Sequence, residues 1–241
     1  FISPVNCRNV LLEGFTIAGY GPYWTVHPVY CENVIIRGLS IHTVGGHNAD
    51  GIDLDSSRNV LVEYCFLDTG DDALAIHTGM NEEGRRIGRP TENVVIRHLQ
   101  VKRGHGGVVI GSLTSGGVRN VLAYACDFDG ADKGIRLKSN KARGGVVENI
   151  WYRDIMMRRI KEEAVIINTT YASALPAGES EVSYPIFRNI TLETITCESA
   201  GKAVSFDAST HAPIENVTMT DISIKARRGM NFSWVDGLKL K

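Results

Sequence analysis

The sequence predicts an all-β chain wound as a right-handed parallel β-helix, a solenoid of about eight coils. Three observations predict it. A polar-Asn-apolar segment recurs eight times, a second strand-like segment recurs between the copies, and no stretch carries a helical period. The first set comprises CRNVLLEGFTI, CENVIIRGLSI, SRNVLVEYCFL, TENVVIRHLQV, VRNVLAYACDF, VENIWYRDIMM, FRNITLETITC and IENVTMTDISI. Their asparagines are Asn9, Asn33, Asn59, Asn93, Asn120, Asn149, Asn189 and Asn216. Most intervals are 24 to 29 residues, the length of one coil with two or three short strands. Such asparagines stack into a ladder at a bend, and the expectation is that each side chain bonds the backbone of the next coil.

The second set aligns Gly51-Ile-Asp-Leu, Ala73-Leu-Ala-Ile, Gly107-Val-Val-Ile, Gly134-Ile-Arg-Leu, Ala164-Val-Ile-Ile and Ala203-Val-Ser-Phe. All read small, apolar, variable, apolar, so the apolar positions point inward and the variable ones outward. Two long intervals mark insertions at the end of this strand, Met80 to Pro90 and Thr170 to Pro185. Insertions crowded on one face of a solenoid usually build its binding site.

Composition bounds the function. The 241 residues are 43% apolar and carry a formal net charge of -1, which fits one domain over 1–241 and gives no support for nucleic acid or an anionic membrane surface. No apolar run is long enough to span a bilayer. Cys7, Cys31, Cys65, Cys126 and Cys197 form no CxxC pair and read as small buried hydrophobes. A Cys7–Cys31 disulfide is compatible with stacking but not indicated. His27, His42, His47, His77 and His98 share no metal spacing and read as surface or packing residues.

Stacking converts this alignment into columns. Asp53, Ala75, Val109, Arg136, Ile166 and Ser205 share one outward column; Asp55, His77, Gly111, Lys138, Asn168 and Asp207 share the next. At the strand entrance Asp50 stacks on Asp72, and Asp71 on His105. One patch therefore gathers Asp50, Asp71, Asp72, His105, Arg136 and Lys138 over four coils, about 14 Å at one strand spacing per coil. Carboxylates one coil apart cannot both ionise freely, so at least one pKa should rise, and a raised acid beside an ionised one is what an acid/base hydrolase needs. A water-sized gap of about 6.5–9.5 Å between acid and base would give inversion. Arg136 and Lys138 suit a carboxylate on the substrate. Taken singly, Asp53 and Asp55 read as turn or solvent residues and Arg136 and Lys138 as a solvated edge; convergence raises the latter two above that.

At these residues the sequence resembles glycoside hydrolase family 28, the polygalacturonases and related pectin-degrading enzymes. The family's NTD, GDD, GHG and RIK motifs occur in order as Asn48-Ala-Asp50, Gly70-Asp-Asp72, Gly104-His-Gly106 and Arg136-Leu-Lys138. TVHPVYCENV, RGHGGVVIGS and NFSWVDGLKL extend the likeness through most of the chain. The resemblance implies that Asp71 is the general acid, that Asp50 and Asp72 activate the water, and that His105 tunes the acid. It implies that Arg136 and Lys138 bind the galacturonate carboxylate, with Tyr171 in contact with substrate. His77 stands at a substrate-binding position where many members have Lys, and Ala73 where many have Cys.

Further expectations follow from the resemblance: inverting hydrolysis of α-1,4-galacturonosyl linkages in pectin, no cofactor, no metal, and a secreted or periplasmic location. Members usually have coils before FISPVNC, so the chain is expected to lack N-terminal coils. The two insertions favour an exo-acting enzyme, with Arg85 or Arg86 meeting the terminal sugar's carboxylate. Lys138→Ala is expected to weaken substrate use without a stability cost. The rival readings are a rhamnogalacturonan or other uronate-polymer hydrolase, a β-helical lyase using Arg as base with Ca²⁺ on clustered Asp, and a non-catalytic glycan-binding β-helix.

Overall fold

In the computed structural model, residues 1–21, 23–172 and 182–241 are described, and they form a parallel β-helix. Among them are nineteen strands and one short helix, Asn81–Ile87. Each asparagine leads a strand that pairs in parallel with the equivalent strand of the coils before and after it, from Arg8–Glu13 through Ile214–Ser233. No helix among the described residues is long and apolar enough to cross a membrane.

The asparagines are chosen for their backbone. All eight take the left-handed conformation, with φ between 54° and 57°, which Asn tolerates better than any other residue with a side chain. Their side chains bond one another instead of the backbone expected from the sequence. Each Nδ2 donates to the Oδ1 of the asparagine one coil earlier, at 3.0 to 3.4 Å along the ladder. An amide offers both donor and acceptor, so a column of identical amides satisfies itself.

Beside this ladder runs a second register device that the repeat alignment also contains. Arg8, Glu32, Arg58, Glu92, Arg119, Glu148, Arg188 and Glu215 occupy one column with alternating sign. Neighbours pair at 2.6 to 3.5 Å in four of these steps. A slip of one coil would place like charges together, so the column favours the native stacking. Exposure keeps each pair weak, and its value lies in specificity.

Inside, the apolar positions form continuous stacks. Ile52, Leu74, Val108, Ile135, Val165 and Val204 make one column; Leu54, Ile76, Ile110, Leu137, Ile167 and Phe206 make the next, and all are fully buried. Side chains between them point outward, so a packed core fixes where the chemistry-bearing residues emerge. All five cysteines are free; the four from Cys31 onward are buried, as small hydrophobes are.

Replacing Asn120 by Ala tests the ladder, because Ala tolerates φ 57° less well than Asn and the change breaks two amide bonds. Loss of stability by about 2–3 kcal/mol is expected in chemical denaturation, and a smaller loss for Asn120→Gly, which keeps the backbone conformation.

Candidate active site

The site begins where two strands enter the same sheet. Gly51 donates its N–H to the Asp72 carbonyl at 3.1 Å, and His105 donates its N–H to the Asp71 carbonyl at 2.9 Å, which stacks the acidic turns and the histidine on three consecutive coils. The register then runs Asp53, Ala75, Val109, Arg136, as the sequence columns predict. Because Ala75 and Val109 are short, Arg136 lies back along its own column. Its Nη1 reaches Asp72 Oδ1 at 3.2 Å, while Lys138 Nζ donates to Asp72 Oδ2 at 2.7 Å.

Gly106 makes this reach across a coil sterically feasible. A Cβ there would lie 3.0 Å from Asp72 Oδ1 and 2.4 Å from a Val109 methyl, in the gap through which the carboxylate meets Arg136. The glycine after His105 therefore keeps the space between Asp72 and its cations open.

The charges of the three carboxylates differ because their surroundings differ. Burial would push the Asp72 carboxyl up, yet the Lys138 and Arg136 cations beside it hold it below its ordinary value. Asp50 has no such pairing: burial, then the charges of Asp72 and Asp71, push it up to about 8. One oxygen from each of Asp50, Asp71 and Asp72 lies within 4.8 Å of the others. The trio thus carries an extra proton at neutral pH, and Asp50 holds it in the free protein. That separation is shorter than the water-sized gap expected from the sequence, because all three acids enter from adjacent coils on one side.

Behind Asp50 lies a feature that the sequence reading placed in solvent. Asp53 is fully buried and its carboxyl is raised well above the ordinary range, first by burial and then by Asp50. Its Oδ1 lies 3.3 Å from His77 Nε2. Burial lowers His77 to about 4 and raises Asp53, so this is a neutral pair. Trp24 lies flat on the imidazole, with ring centroids 4.7 Å apart and an interplanar angle of 5°. His77 is therefore not the exposed cation that a substrate-binding lysine would be; it is 4% exposed at the pocket wall. An Asp50, Asp53 and His77 atom also lie within 4.8 Å of one another, a second group whose geometry alone could hold a cation.

Tyr171 caps the cation pair. Its ring centroid is 5.5 Å from Arg136 Cζ and 5.4 Å from Lys138 Nζ, within the range of a cation–π contact. With Tyr23, Trp24, Asn48, Met80 and His105 it surrounds a pocket of about 380 Å³ that contains the acid trio and Lys138. A larger groove of about 750 Å³ follows the asparagine ladder, but it is lined by aliphatic outward residues and contains no carboxylate.

The insertions differ from the expectation. Met80 to Pro90 folds in part as the helix Asn81–Ile87, and Arg85 Nη1 donates to the Ala142 carbonyl at 2.6 Å. Arg85 therefore fastens the insertion to a neighbouring turn, while Arg86 pairs with Glu83 on the exposed side. Neither is placed as a gripping residue at the acids. Of Thr170 to Pro185, residues 173–181, which the expected wall on that side would need, lie outside the described residues.

Sequence reasoning also missed Trp24 and Asp132. Trp24 sits before the first acid motif, two coils from His77, and reaches the site by laying its ring past the intervening coil of Ile52–Asp55. Asp132 occupies the position two residues before Gly134, equivalent to Asp71 and His105 in their coils, so the repeat alignment contains it.

A β-helix that sets an ionised, cation-held carboxylate beside a protonated one can both donate and accept a proton at one bond. Comparison with known proteins agrees with that class of chemistry. The model of glycosyl hydrolases family 28 matches residues 1–236, and the chain belongs to this family. It is similar to a probable polygalacturonase of Vitis vinifera, 31% identical over 92% of this chain and 41% of that protein. An endo-polygalacturonase of Pectobacterium parmentieri is 33% identical over 73% of this chain and 40% of its own length. A hyperthermoactive exopolygalacturonase from Thermotoga maritima overlays all of this chain and 54% of its own, with 35% identity and a TM-score of 0.86. The chain thus spans about half the length of these relatives or less.

The ion pairs of Asp72 overturn the expectation that Lys138 can be removed without a stability cost. Lys138 is 8% exposed and its removal leaves a buried carboxylate half-compensated. Lys138→Met should lower stability, toward the about 3–5 kcal/mol that breaking a buried ion pair costs. Denaturation of the double variant Lys138→Met/Asp72→Asn, expected to recover part of that loss, checks the pairing directly.

Proposed function

We propose that this chain carries the catalytic centre of an inverting hydrolase of α-1,4-galacturonosyl linkages, acting on pectic polygalacturonate from a chain end. The observation that supports it best is the acid trio: one carboxylate held ionised by Arg136 and Lys138, with a shared proton beside it. Asp71 is the least buried of the three and faces the pocket. A sugar covering Asp71 removes it from water, which favours its neutral form and draws the proton from Asp50. Asp71 then gives that proton to the leaving glycosidic oxygen. Asp72 takes a proton from the attacking water, and the trio ends with the proton count it began with.

In this reading Asp72 holds the attacking water: each of its oxygens accepts from one cation and keeps a second lone pair for a water. Arg136 and Lys138 each use one donor on Asp72, so the remaining N–H groups can meet a galacturonate carboxylate under the Tyr171 ring. The exo reading is supported by likeness along the full chain to the Thermotoga enzyme and by Met80, which leads into the inserted helix, at the pocket wall. The raised Asp50 favours one alternative within the same chemistry, in which Asp50 itself is the acid.

Digestion of polygalacturonate tests both levels. Asp71→Asn should lose at least about 10²-fold in turnover on the polymer and far less on an aryl galacturonide, whose leaving group needs no protonation. Turnover within about threefold of the parent would reject Asp71 and point to Asp50. For the parent, viscosity should fall slowly against reducing ends; a steep early fall would mean an open cleft and an endo enzyme.

A further inference from the structure

His105 lies at a divide. On one side is the pocket of the three acids, which its ring lines; on the other is a second pocket of about 360 Å³ lined by His47, Arg103, Asp132 and Lys161. The histidine is held from that second side. Its Nδ1 is 3.0 Å from Asp132 Oδ2, and the other carboxylate oxygen of Asp132 accepts from Lys161 Nζ at 2.7 Å. The backbone is tied at the same place, because Asp132 donates its N–H to the Gly104 carbonyl at 2.8 Å and Glu162 donates its own to the Asp132 carbonyl at 2.8 Å. Burial opposes ionisation of Asp132, yet the bonds from Lys161 and His105 hold its carboxyl below the ordinary range.

We propose that Asp132 is a positioning residue that fixes the tautomer and orientation of His105, an inference that rests on the hydrolase reading for its kinetic consequence. An ionised carboxylate can only accept, so Nδ1 must carry the proton of the neutral ring. Nε2 lies on the opposite edge of the imidazole, away from Asp132 and on the side of the acid pocket, where it presents a lone pair. A donor in that pocket, whether a water or the protonated acid of the trio, then has a fixed acceptor. Lys161 is largely exposed, so its pair with the outer oxygen of Asp132 is weak and the bond to His105 does not depend on it. The groups facing His105 are Asp50, Asp71 and Asp72 from the preceding coils and Asp132, Arg136 and Lys138 from the following coil, with Lys161 behind Asp132.

Asp132→Asn gives the sharpest test. With Lys161 attracting the amide oxygen, the amide N–H₂ faces Nδ1 and demands a lone pair there, so the proton moves to Nε2. In ¹⁵N NMR the parent should show His105 as the Nδ1–H tautomer at a pH where the ring is neutral, and the variant the Nε2–H tautomer. On polygalacturonate kcat should fall about 10–100-fold with KM nearly unchanged. The deficit should shrink toward acidic pH, where an imidazolium carries both protons and tautomers no longer differ. Asp132→Glu should recover part of the rate, and Lys161→Met, which leaves the Asp132–His105 bond in place, should cost little. Identical ¹⁵N signatures in parent and Asp132→Asn would overturn the proposal. So would an equal loss of kcat in Lys161→Met and Asp132→Asn, which would mean a structural role only. If the parent does not cleave the polymer, the hydrolase reading fails, and the tautomer measurement still decides the role of Asp132.

Discussion

Everything in this molecule depends on coils stacking in register at one strand spacing, about 4.8 Å. That repeat brings residues more than sixty positions apart, Asp72 and Lys138, within 2.7 Å of each other without a dedicated loop. It also means that an error of one coil would scramble every column at once. Two exposed columns oppose such an error: the asparagine amides bond only to their counterparts, and the alternating Arg and Glu residues reward only opposite neighbours. The buried aliphatic stacks supply cohesion but tolerate many registers, because one column of Ile, Leu and Val packs much like another.

On this frame the site is a problem of charge balance. Asp50, Asp71 and Asp72 lie too close together to ionise as three isolated carboxylates, and Arg136 with Lys138 is the means by which one of them stays charged. The cations come from the coil beyond His105, so the space between them must stay empty, and Gly106 leaves it empty. Asp50 sits next to the buried Asp53–His77 pair, which carries no net charge to relieve it. The same residues that make Asp72 a base therefore leave Asp50 protonated. Substrate charge, when a galacturonate arrives, meets cations that already have a partner but still have free donors.

Much of this was legible in the sequence because period two and a 25-residue repeat are enough to build columns on paper. The Asp50–Asp72 stack, the Arg136 and Lys138 face and the buried apolar stacks all follow from alignment alone. What escaped depended on distances across coils. Asp53 read as a solvent residue because nothing in its own coil shows that His77, from the next coil, lies against it with Trp24 stacked on that imidazole. Arg85 read as a substrate grip because the carbonyl it bonds belongs to a turn fifty-seven residues away. The Arg and Glu column and Asp132 were present in the aligned repeats, and attention to the position two residues before Ala73, Gly107 and Gly134 would have found Asp132.

The central claim is that the three acids share a proton held on Asp50, with Asp72 kept ionised by its two cations. Carboxyl ¹³C NMR of aspartate-labelled protein, with Asp50→Asn for assignment, measures it directly. Asp50 is expected to titrate at about 8, and Asp72 below the ordinary aspartate value. An Asp50 midpoint near the ordinary aspartate value of about 4 would contradict the account.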